Sequence, residues 1–110
     1  MTVPTPPRLT ADERSRAARQ AVQARRTRAA VKQRVAAGYL SCSQVIELAF
    51  TDTDDGRACA RMTIGDLLLS LPGVGPVTAD RELVALGING SRRLRALGQR
   101  QRDDLRRVFW

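Results

Sequence analysis

Between Thr10 and Ala37 no glycine or proline interrupts the chain. Alanine and arginine, both strong helix formers, dominate the stretch. Thr10-Ala11-Asp12-Glu13 has the spacing of a capping box. Gly38 suits a left-handed stop. The pattern predicts one helix over residues 10–38, about 40 Å long at roughly 1.5 Å per residue, a large element for a chain of 110 residues. Val31 and Val35, one turn apart, can anchor its C-terminal half, with Val22 and Ala24 adding to that contact. Ala17, Ala18 and Ala21 leave the first half little to bury. Packing alone does not account for such a helix.

Its charge supplies the second constraint. Arg14, Arg16, Arg19, Arg25, Arg26, Arg28, Lys32 and Arg34 wrap it, with too few acids to pair from one turn to the next. The whole chain carries 19 basic and 11 acidic residues, a net charge of +8, and Lys32 is its only lysine. That charge is segregated: residues 1–40 and 91–110 are strongly positive, and residues 41–90 are net acidic. A small basic domain rich in arginine forks is suited to phosphates and base edges, so a nucleic acid is the expected partner.

The rest of the chain reads as a compact bundle. Residues 1–9, with Pro4, Pro6 and Pro7, form an extended tail. Ser41-Cys42-Ser43-Gln44 is a second capping box, opening a helix through Val45, Ile46, Leu48, Ala49 and Phe50. Thr51 to Gly56, with Asp52, Asp54 and Asp55, reads as a solvated loop, since the spacing and closing glutamate of a calcium loop are missing. A helix starting at Thr63 carries Leu67, Leu68 and Leu71 into Leu71-Pro72-Gly73-Val74-Gly75-Pro76-Val77-Thr78-Ala79. There Gly73 and Gly75 permit a tight turn, and a new helix starts at Pro76 or Val77. Free amides in such a turn, backed by a helix N-terminus, favour a phosphate. The structural alternative is a plain helix connection with Val74 plugged into the core. The second helix holds Leu83, Val84 and Leu86 and stops at Gly87, with Ile88 turned inward and Asn89-Gly90 a turn. In Ser91-Arg92-Arg93-Leu94-Arg95-Ala96-Leu97-Gly98, Leu94 and Leu97 face the core while Arg92, Arg93 and Arg95 fan outward. A last helix, Gln99 to Val108, buries Leu105 and Val108, with Phe109 beside them.

Several function classes are disfavoured. With no histidine and only Cys42 and Cys59, the sequence offers no paired zinc ligands and no general base of the usual kind. The carboxylates sit in caps, in the acidic loop or beside arginines, so no metal cofactor, small-molecule substrate or enzymatic activity is expected. No run approaches the roughly 18 apolar residues of a membrane span, and a cytoplasmic protein with free thiols is expected.

The residues that carry these readings resemble one family, the actinobacterial integration host factors, nucleoid-associated proteins of mycobacteria and streptomycetes. The resemblance runs in order through Arg28-Ala29-Ala30-Val31-Lys32-Gln33-Arg34, Val45-Ile46, Leu71-Pro72-Gly73-Val74-Gly75, Leu86-Gly87-Ile88 and Ser91 to Gly98. It implies an all-α fold: a long basic N-terminal helix over 10–38 joined to a helix–two-turn–helix DNA-binding domain over 39–110. It implies a protein that binds double-stranded DNA on the nucleoid with little sequence preference, and bends or compacts it. With no heptad seam or clear hydrophobic interface in the sequence, a monomer is expected. By position, Gly73, Val74 and Gly75, with Pro76 and Thr78, would meet phosphates. Ser91, Arg92, Arg93, Arg95 and Gly98 form the element whose arginines would enter the minor groove. Arg25, Arg26, Arg28 and Lys32 would touch the same duplex or a second one. The chain departs from the family at Pro76, where a lysine is usual, which implies one phosphate contact fewer.

The module also resembles that of a ribosomal small-subunit head protein, which keeps RNA as the alternative partner. Against it, Tyr39, Phe50, Phe109 and Trp110 are the only aromatics, and single-strand readers stack bases on several. DNA glycosylases borrow a similar turn, but they need a catalytic amine, a carboxylate and usually a zinc finger.

Overall fold

A computed structural model describes residues 9–109. The proline-rich tail expected over residues 1–9 thus lies outside the described residues except for Leu9, as does Trp110. Six helices follow in order: α1 (Ala11–Ala36), α2 (Cys42–Leu48), α3 (Asp54–Ala60), α4 (Ile64–Ser70), α5 (Pro76–Leu86) and α6 (Gln99–Phe109), with a 3₁₀ turn at Leu94–Ala96 before the last. The fold is all-α, and the described residues hold no strand beyond one antiparallel bridge between Thr63 and Arg93.

The caps show why the helices start where they do. Thr10 accepts from the Glu13 N–H at 3.1 Å, which is one half of the box expected there. At Ser41 both halves form: Ser41 Oγ accepts from the Gln44 N–H, and Gln44 returns its Oε1 to the Ser41 N–H. Thr63 caps α4 in the same way through the Asp66 N–H. Gly87, at φ +68°, closes α5 in the left-handed conformation.

Around one core, α1 packs on α3 and α4, α2 on α3 and α6, α5 on α4, and the 3₁₀ turn on α3. Val35, Val45, Cys59, Ile64, Leu67, Leu68, Leu94 and Leu105 are fully buried, and no polar or charged residue is buried among the described residues. Both thiols are free and buried, and burial pushes Cys42 up to about 12.

Four expectations are corrected. Of the acidic stretch read as a loop, Thr51 to Thr53 stay outside any helix, but Asp54 to Gly56 start α3. Thr53 caps it by accepting from the Gly56 N–H at 2.9 Å, and Asp54 and Asp55 lie at its positive N-terminal end. Glycine at position 56 is a packing requirement inside that helix. A Cβ there would meet Thr51 Oγ1 at 2.3 Å and the Leu48 carbonyl oxygen at 2.6 Å. Phe50 lies beyond the end of α2, half out of the core, under the Arg102 guanidinium at 4.0 Å. Val22 and Val108, expected inside, are exposed at 39% and 43%, and Val84 of α5 at 73%, because each stands on a helix face that no other element covers.

Candidate nucleic-acid interface

Residues 11–23 of α1 are exposed on every face, and its only buried side chains are Val31 and Val35. The helix is anchored through its C-terminal half, where Lys32 also reaches Asp66 of α4 at 3.0 Å. Arg14, Arg16, Arg19, Arg25 and Arg26 therefore stand in solvent on an element held at one end.

The turn after α4 is built as the spacing predicts, with one refinement. Gly73 sits at φ +76°, a conformation that L side chains rarely adopt. Gly75 does not need to be glycine for that reason: it is extended at φ −93°, serves as the cap residue of α5 and has no side-chain bond to offer. Pro76 occupies the first helical position, where the missing N–H costs nothing. Val74 is half-buried against the core, and its N–H is held by the Leu71 carbonyl. The N–H groups of Gly73, Gly75, Val77 and Thr78 find no partner among the described residues. They are four donors at the positive end of an 11-residue helix. From Pro72 to Ala79 no side chain is charged, so any anion there is held by backbone alone.

The segment from Gly90 to Leu94 is laid along the start of α4 by three backbone bonds: Gly65 N–H to the Gly90 carbonyl, Ile64 N–H to the Arg92 carbonyl, and Leu94 N–H to the Met62 carbonyl, each 2.9 Å. Leu94 and Leu97 are buried as expected, which turns Arg92, Arg93 and Arg95 outward. Each guanidinium rests on a different carbonyl: Arg92 on Ala96 at 2.9 Å, Arg93 on Arg61, and Arg95 on Thr51 at 3.3 Å. The three thus splay instead of forming one bundle. Ser91 and Gly98 frame the segment. The Ser91 N–H donates to the Asn89 side chain at 2.9 Å, and the Gly98 N–H to the Gln101 side chain at 3.0 Å.

Arg93 is brought together with Arg25 and Arg28. All three line a cleft of about 280 Å³ between α1 and the start of α4, alongside Arg61 and Asp66. Arg92 and Arg95 lie outside that lining, and the Gly73–Gly75 turn stands at the opposite end of α4, about 10 Å away by helix rise. Arg61 is the residue that sequence reasoning missed. It lies in the net-acidic middle of the chain, and only its place as the C-cap residue just past α3 puts it beside α1. Two bases of α6 differ in kind: Arg106 pairs with Glu47 and Arg107 with Asp104. No group of three or more His, Cys, Asp or Glu among the described residues is placed to hold a metal ion, and no described helix is long and apolar enough to cross a membrane.

Comparison with known proteins gives a consistent result. A family profile described as an S13-like H2TH domain matches residues 32–109. Over 103 residues the chain is 39% identical to the integration host factor of Mycolicibacterium smegmatis, with 94% of each chain covered. It is 38% identical to that of Mycobacterium tuberculosis, again with 94% of each covered. It is 40% identical to that of Streptomyces coelicolor, covering 94% of this chain and 92% of the relative. A solved structure of sIHF bound to an 8-base-pair palindromic DNA superposes with a TM-score of 0.74 at 40% identity, covering 84% of this chain and 99% of that one.

Proposed function

Because the chain belongs to the integration host factor family of mycobacteria and Streptomyces, and carries that S13-like H2TH domain, we propose that it is a non-enzymatic, architectural protein of double-stranded DNA. The observation that carries this reading is the arrangement of Arg92, Arg93 and Arg95. All three are exposed, each is steadied by a carbonyl, and none is paired with a carboxylate among the described residues. A guanidinium that spends one N–H on a carbonyl keeps the rest of its fork for an incoming acceptor. Arginines entering a minor groove read its width and deformability more than base identity, which gives weak sequence preference and favours bent DNA.

In this reading the free amides of Gly73, Gly75, Val77 and Thr78 hold backbone phosphates at the far end of α4 from the arginine segment. Arg25, Arg26 and Arg28 extend the contact along α1, with Lys32 at its base. The protein acts as a monomer on the nucleoid, compacting DNA and supporting recombination or transcription control. The neutral turn, with Pro76 in place of the family's lysine, makes affinity more dependent on the arginines.

The test is fluorescence anisotropy of a labelled mixed-sequence duplex across a salt series, with structured RNA as competitor. Neutralising four to six phosphates gives a log K against log salt slope of about −4 to −5. Replacing Arg92, Arg93 and Arg95 together by glutamine abolishes binding while leaving the helical signal unchanged. A slope near zero, or RNA competing as well as duplex, would overturn the reading.

A further inference from the structure

The cleft that joins α1 to the start of α4 has an unusual charge balance. Arg25 and Arg28 come from α1, Arg61 from the end of α3, and Arg93 from the segment bridged to Thr63. None of the four pairs with a carboxylate among the described residues. Asp66, the one acid on the rim, is engaged by Lys32 at 3.0 Å. Two of the guanidinium groups are drawn in by the carbonyl end of α3: Arg28 reaches the Ala58 carbonyl at 3.5 Å, and Arg93 that of Arg61. Carbonyls at a helix C-terminus carry partial negative charge and attract cations. This preorganises two forks without neutralising them, since each keeps donors in reserve. Four like charges around about 280 Å³ repel one another until an anion enters. The space admits a phosphate and excludes a base pair.

We propose that this cleft is a phosphate-binding seat in which Arg61 is a binding residue, with Arg25, Arg28 and Arg93 completing the cage. The phosphate oxyanion is carried by the duplex backbone or by a free phosphorylated molecule. The duplex source rests on the DNA-binding reading above and would make α1 and the arginine segment one continuous contact surface.

The experiment compares the full chain with Arg61→Gln and with the double variant Arg28→Gln/Arg61→Gln. Arg61 contributes only backbone groups to the hydrogen bonds of the fold, so a melt followed by circular dichroism should be unchanged for the single variant. In the first arm, a mixed-sequence duplex is titrated across salt. A slope shallower by about 1 for the single variant and about 2 for the double, equal for duplexes of different sequence, assigns the seat to DNA phosphates. In the second arm, pyrophosphate is titrated and followed by phosphorus NMR. Binding by the wild type that Arg61→Gln loses, with duplex slopes unchanged, keeps the seat and makes its source a free phosphorylated molecule. Pyrophosphate binding without any duplex binding keeps the seat and sinks the DNA reading instead. Unchanged slopes together with pyrophosphate binding that is absent, or that survives Arg61→Gln, overturns the proposal.

Discussion

Single residues in the turn between α4 and α5 do separable jobs, although the sequence writes them as one motif. Gly73 is there for its left-handed backbone, and Gly75 for its exposed N–H in an extended conformation. Gly73→Ala is therefore expected to lower stability by about 1 kcal/mol through strain alone. Gly75→Ala, whose Cβ would meet nothing within 4 Å, should change stability by less than about 0.5 kcal/mol. Urea denaturation of the two variants side by side tests the distinction, and equal losses would contradict it. Pro76 contributes a preset φ but no charge. Pro76→Lys should tighten duplex binding and steepen the salt slope by about 0.9. Equal affinity for the two proteins would mean that the turn does not approach a phosphate.

Among the elements, α1, α2, α4 and α5 were legible because each combines a capping signal or a fixed stop with apolar residues at helical spacing, and α6 through its apolar spacing alone. The 3₁₀ turn was legible only as two inward leucines among arginines. α3 was not. Three aspartates and a glycine suppress the helical signal, and the reasons α3 forms are tertiary: Gly56 must approach Thr51 and Leu48 closely, and Ala58, Cys59 and Ala60 fill a buried seam. The same gap hid Arg61, whose role depends on where α3 ends. The exposed valines on α5 and α6 show the converse limit, since apolar spacing marks a face without saying whether anything covers it. α1 meets the core through very few side chains, so Val35→Ala, removing about two methyl groups from a fully buried site, should cost about 2 kcal/mol. The loss is read as a lowered melting temperature. A melting temperature within experimental error of the wild type would mean that α1 is held by its polar contacts instead.

At the scale of the whole molecule, a body built from α2 to α6 holds the buried core, and α1 projects from it, within extents of 55 × 33 × 25 Å. The positive surface follows that division: unpaired arginines on α1 and on the segment from Arg92 to Arg95, while on α6 Arg106 and Arg107 are compensated. Half of α1 thus stands without a neighbouring element, and helices of fewer than roughly 12 to 15 residues are marginal in water on their own. The rate at which backbone amides trade hydrogen for deuterium should therefore rise steadily from Val31 toward Ala11, as opening there approaches the cost of fraying alone. Adding duplex should slow exchange at the Ala11 end and leave Val31 and Val35 unchanged. Uniform protection along α1 without DNA would show that a partner surface already lies against it. The helix that most constrains the fold would then be ordered from one end by the core and from the other by what it binds.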